Sequence, residues 1–160
     1  MVRRSIVDAN LVARLSLPLA QLYRRAANAK GPLERHLTAF YLWEAALKLL
    51  ASAALAVYAV RPRQVPILVE RLKNLARPSL GHWWEFVQLL VPALAADGDP
   101  GFAEVKKLLL GGTRHDLLLV AGLDVALLKA LGKQTSPRAT MRLAELFERL
   151  VSYRNQVSVA

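Results

Sequence analysis

The chain has 160 residues, the size of one ordinary domain, and its 54% hydrophobic content is enough for a substantial core. It has no cysteine, which excludes a disulfide framework and a thiolate metal site and makes a reducing cytoplasm the expected setting. The formal net charge of +10 favours an anionic partner, either nucleic acid or a membrane surface.

Glycine and proline fall between periodic segments, and no run alternates apolar and polar residues in the way a half-buried strand requires. The expected architecture is therefore all-α: a single-domain bundle of six or seven helices around a long buried central helix. Residues 1–10 read as a basic leader and 11–160 as the bundle. The two arginines at the start have no apolar run behind them and no small-residue cleavage site, so a secretory signal is not expected. A first helix is predicted over 11–29, with Ser16 a candidate cap ahead of Pro18 and with Leu17, Leu19, Leu22 and Tyr23 inward. Arg24, Arg25 and Lys30 leave it a basic end.

Gly31 and Pro32 break the chain and open the central helix, 33–60. From Leu37 onward its apolar residues cover almost the whole circumference, the pattern of a helix packed by neighbours on every side. Its most hydrophobic stretch, 49–60, is shorter than the roughly 20 residues a membrane span needs. Extending it backwards takes in Glu44 and Lys48, so soluble core is expected and membrane attachment is not.

Pro62 and Pro66 end that helix, and a short one follows over 67–75 with Val69, Leu72 and Leu75 inward. The fourth, 82–96, contains Pro92, which is expected to kink or divide it. Asp99 and Pro100 make a cap-plus-proline start for the fifth, 102–110, which ends at Gly111 and Gly112. Thr113 is a candidate cap for the sixth, which Gly122 is expected to interrupt and Gly132 to stop. Ser136 and Pro137 repeat the start signal for the last helix, whose inward stripe is Leu143, Leu146, Phe147 and Leu150.

The catalytic motifs of well-defined spacing are absent: there is no P-loop, G-x-G-x-x-G, H-E-x-x-H or G-x-S-x-G. His36, His82 and His115 are scattered without a carboxylate at metal-ligand spacing and read as surface or locally bonded residues, so neither a metal nor a cofactor is expected. Trp83 and Trp84, beside His82, are candidates for an aromatic interaction face, against the plainer reading that one is core and the other surface. Glu44 and Lys48 are the only formal charges in the central helix after His36. Four apart, they form either a narrow polar strip facing water or part of a cleft or interface that holds a phosphate, an arginine or a partner. Arg154 continues the apolar stripe of the last helix. It must snorkel at the helix end, pair with a buried carboxylate such as Glu44, or line a site. Asn155 adds a polar group beside it.

The ending YRNQV, residues 153–157, after a helix of the type LAELFERLV, resembles the approach to the signature of HEPN domains, helical bundles whose motif is Arg, a polar residue, a few further positions and then His. Arg154 and Asn155 match its first half, and the E-x-x-x-K of Glu44 and Lys48 is similar to an acidic and basic pair that some HEPN families carry on an earlier helix. The likeness spans most of the chain as architecture and about four residues as motif. It implies a module of a larger bacterial signalling or defence protein that forms homo-oligomers and contacts RNA, in which Arg and His of two protomers cut RNA without metal. Here Ala160 stands where the histidine would fall, so a ribonuclease is not expected of this chain as written. Either a longer protein has been cut short, or the ending is altered, or the likeness concerns fold and not activity. The alternative of a different class is a helical protein-interaction or adaptor domain without nucleic-acid chemistry, docking through Trp83, Trp84 and the fourth helix.

Overall fold

The computed structural model describes residues 7–61, 66–73, 77–114, 118–135 and 140–157. Eight helices and two three-residue strands lie among them, so the all-α expectation holds. The chain forms two compact units, residues 1–52 and 53–160, with the boundary inside the longest helix.

The first unit holds helices α1 (Ala9–Arg14) and α2 (Leu17–Ala27) and most of α3 (Pro32–Ala59). The single helix predicted over 11–29 is thus two. Asp8 caps α1 by accepting from the amides of Asn10 and Leu11 at 2.9 and 3.2 Å, and Leu15 and Ser16 are extended. The backbone breaks there because Pro18, in the first turn of α2, lacks the N–H and clashes with a continuing helix. Ser16 precedes α2 but makes no side-chain cap bond. At the next turn Lys30 N–H donates to Glu34 at 3.0 Å, and the buried Thr38 hydroxyl donates to the Glu34 carbonyl at 2.7 Å.

α3 is long, as expected, but it is not packed on every side. Its buried residues are Thr38, Leu47, Ala51, Ala54 and Tyr58, a narrow stripe, and only 17% of its most apolar stretch is buried. Leu33, Leu37, Tyr41 and Leu49 are exposed. Within the first unit the physical reason is length. At 1.5 Å per residue the part of α3 in this unit, residues 32–52, is about 32 Å long, whereas α1 and α2 are only about 9 and 17 Å long.

The second unit holds the end of α3, then α4 (Pro66–Leu72), α5 (Leu80–Ala96), α6 (Pro100–Leu110), β1 (Gly112–Arg114), α7 (Leu118–Ala130), β2 (Thr140–Arg142) and α8 (Leu143–Val157). Its core helix is α5, in which Leu80, Trp84, Phe86, Val87, Leu90, Val91 and Leu94 are buried against α6, α8 and α4. α5 runs through Pro92 undivided. In α4 the buried residue is Leu68, while Val69, expected inward, is exposed; Leu75 lies outside the described residues.

The start of α6 follows the sequence signal: Asp99 accepts from the amides of Gly101 and Phe102 at 3.0 and 3.2 Å, with Pro100 in the first position. Thr113, expected as a cap, lies instead in β1, which pairs antiparallel with β2 in the register Gly112 with Arg142 and Thr113 with Met141. Helix α7 passes through Gly122 without interruption. The start signal at Ser136 and Pro137 lies outside the described residues, and α8 begins at Leu143, directly after β2. Leu127, Met141 and Leu146 form a second small core with Val120, Leu143, Leu150 and Tyr153 around it.

Candidate functional site

Glu44 and Lys48 lie near the middle of α3, where the spacing of four puts them on one side of the helix. Lys48 Nζ is 2.6 Å from Glu44 Oε1, and the side chains are 45% and 21% exposed. The pair is a partly hydrated ion pair within one helix, worth a few tenths of a kcal/mol to helix stability, roughly 0.3–0.5 kcal/mol. Leu37 and Tyr41 precede it on the same side and are exposed, as is Ser52 beyond it. Two charges therefore sit in a surface that is otherwise largely apolar.

By length and composition alone α3 is apolar enough to cross a membrane. The two charges oppose that use. Each costs about 2.5–3.5 kcal/mol at the centre of a bilayer, although their pairing offsets part of this.

Arg154 and Asn155 lie in the last turns of α8, and both are exposed. Arg154 stands one helical step beyond Leu150 and Phe147 on the same side of α8 and is exposed at the helix end, where a cation also complements the helix dipole. Glu44 and Lys48 belong to the first unit, Arg154 and Asn155 to the second.

The two tryptophans separate into core and surface. Trp84 is 5% exposed and stacks on Phe147, with ring centroids 5.1 Å apart, so it cannot serve as a docking residue. Trp83 is half-buried and meets Phe86 edge-on. His82 is locally bonded: its Nδ1 accepts from the Ser79 amide at 3.0 Å while the Ser79 hydroxyl accepts from the His82 amide at 3.3 Å, a reciprocal cap at the start of α5. His36 is exposed and His115 lies outside the described residues.

Sequence reasoning missed the most deeply buried charges. Asp124, 5% exposed, forms an ion pair with Arg149, joining α7 to α8, and Glu145 Oε2 lies 3.9 Å from the Arg149 Nη2. Burial lowers the Arg149 guanidinium from its ordinary pKa by desolvating the charged form. The available signal was Asp124 itself, a lone carboxylate in the apolar run LLLVAGLDVALL, the same kind of anomaly as Glu44. A second cluster, Arg61 with Asp97 at 3.0 Å and Asp99 at 3.6 Å, ties the end of α3 to the turn between α5 and α6.

Comparison with protein-family models, with curated proteins and with solved structures found no match.

Proposed function

We propose that the chain is a HEPN-like helical association module of a larger bacterial signalling or defence protein, one that self-associates and contacts RNA. The observation that carries this reading is the exposed side of α3. Leu33, Leu37 and Tyr41 stand 71%, 44% and 53% exposed on a helix that is hydrophobic almost all round, and contiguous apolar surface of this kind marks an interaction site. The RNA part is supported by the accessible Arg154 and Asn155 and by the net charge of +10. Ala160 supplies no acid or base, so no catalytic role is assigned to the ending as it stands.

The adaptor alternative loses Trp84 as a docking residue, since it lies in the core, and keeps only the half-buried Trp83 of its pair.

Two measurements test the reading. Sedimentation equilibrium should show a dimer or larger species. Fluorescence anisotropy with a single-stranded RNA should show an affinity that falls linearly with salt on logarithmic axes, as counterion release requires, and that weakens in Arg154→Ala. A chain monomeric at all concentrations removes the association, and absence of RNA binding at low salt removes the RNA contact.

A further inference from the structure

In α2, Leu17, Gln21 and Arg24 follow one another at steps of four and three residues, so they share one side of the helix, and Arg25 flanks it. All four are exposed, whereas Ala20 and Ala26 turn inward and are buried. Arg14 stands three residues before Leu17, and Lys30 three residues beyond the end of the helix, and both are exposed.

The four cations are not matched within the first unit. Residues 7–52 contain three carboxylates, and each is already engaged: Asp8 caps α1, Glu34 accepts from the Lys30 amide, and Glu44 pairs with Lys48. None of Arg14, Arg24, Arg25 and Lys30 has a carboxylate partner among the described residues. The large apolar residue on the same side, Leu17, is 71% exposed.

We propose that the side of α2 bearing Leu17, Arg24 and Arg25, with Arg14 and Lys30 beside it, docks on an anionic lipid surface. Leu17 enters the headgroup boundary while the arginines and the lysine meet lipid phosphates, the combination by which a helix lies on a membrane. At 1.5 Å per residue Leu17 and Arg24 are about 10 Å apart along the axis, so one helix lying in the interface plane makes both contacts. A bilayer-surface contact leaves Glu44 and Lys48 outside hydrocarbon, so the cost that opposes a span by α3 does not arise. A second copy related by a two-fold would set arginine against arginine. An RNA strand would match the cations but gain nothing from Leu17, and no aromatic residue lies on this side of α2 for a base to stack on. This surface shares no residue with Leu33, Leu37 and Tyr41 and does not depend on the self-association reading.

The full 160-residue chain should co-sediment with vesicles of phosphatidylcholine containing about 30% phosphatidylglycerol and not with vesicles of phosphatidylcholine alone. The binding should fall as salt rises from about 50 mM to about 500 mM. Arg24→Gln/Arg25→Gln should weaken it at least about tenfold. Lys106→Gln/Lys107→Gln removes the same charge from exposed positions in α6 and should stay within about twofold of wild type. Leu17→Ser should weaken binding at least about threefold. All these positions are exposed, and thermal denaturation checks that the variants are folded.

Absence of sedimentation with the anionic vesicles at the lower salt overturns the proposal. Equal losses in the α2 and α6 charge variants overturn it too, since the attraction is then that of net charge alone. Unchanged binding by Leu17→Ser does the same. A wild type that ignores vesicles but loses single-stranded RNA in Arg24→Gln/Arg25→Gln identifies RNA as the occupant instead.

Discussion

Asp124 on α7 and Arg149 on α8 form an ion pair in the interior of the second unit that links the two helices. Their side chains are 6% and 13% exposed, so water does not readily take the place of a partner that is removed. Asp124→Ala should therefore destabilise by about 3 kcal/mol, the low end for breaking a buried pair, because it leaves the largely buried guanidinium with only the more distant Glu145 at 3.9 Å. The double variant Asp124→Leu/Arg149→Met removes both charges while keeping volume, and should fold with nearly wild-type or higher stability. Urea denaturation of the two single variants and the double variant decides the matter. If the single and double losses simply add, the residues are not coupled.

Burial lowers the Arg149 pKa, and the sign of its effect on stability follows directly. A base whose pKa is depressed in the fold holds its charge at a cost below the folded value, and that cost is relieved only as pH rises through it. An arginine stays charged throughout the ordinary range even when desolvated. Arg149 should thus contribute a constant term from about pH 5 to about pH 9. Unfolding free energy of wild type and of the double variant Asp124→Leu/Arg149→Met, measured across that range, should run parallel. A difference that grows or shrinks with pH would show that the pair titrates.

Asp99 has two tasks, capping α6 and facing Arg61, and they can be separated. Asp99→Asn keeps a side-chain oxygen that accepts from Gly101 and Phe102 and loses only the attraction to an arginine 3.6 Å away, a partly exposed contact worth about 1 kcal/mol. Asp99→Ala loses the cap as well and should cost about 0.5–2 kcal/mol. Thermal denaturation that ranks asparagine with alanine would make the ion pair, and not the cap, the dominant interaction.

That turn was legible in the sequence because capping is local: Asp99, Pro100 and the two amides they serve lie within four residues. The stripe of α8 was legible for the same reason, since Leu146 and its neighbours repeat at helical spacing. Asp124 and Arg149 are 25 positions apart, and nothing in either helix names the other. The β1 and β2 pairing is likewise non-local, two three-residue segments with no alternating pattern to announce them. For α3 the hydropathy was read correctly and its cause was not. An apolar circumference predicts burial but names no neighbour, and the structure buries only the stripe of Thr38, Leu47, Ala51, Ala54 and Tyr58.

The glycines at 98 and 122 should respond to the same substitution with opposite signs. Gly98, between α5 and α6, has φ +87°, a left-handed conformation in which a Cβ crowds the following carbonyl. Gly98→Ala should cost about 1–2 kcal/mol. Gly122 sits within α7, is exposed, and a Cβ built there meets no atom within 4 Å. Its substitution brings no clash, and the unfolded chain loses the extra freedom glycine had, so Gly122→Ala should raise stability by about 0.5–1 kcal/mol. Denaturation of the two variants checks both signs. A destabilising Gly122→Ala would mean that α7 is approached on that face by a neighbour; repeating the measurement at low and high protein concentration would separate a contact with a second copy from strain within the helix.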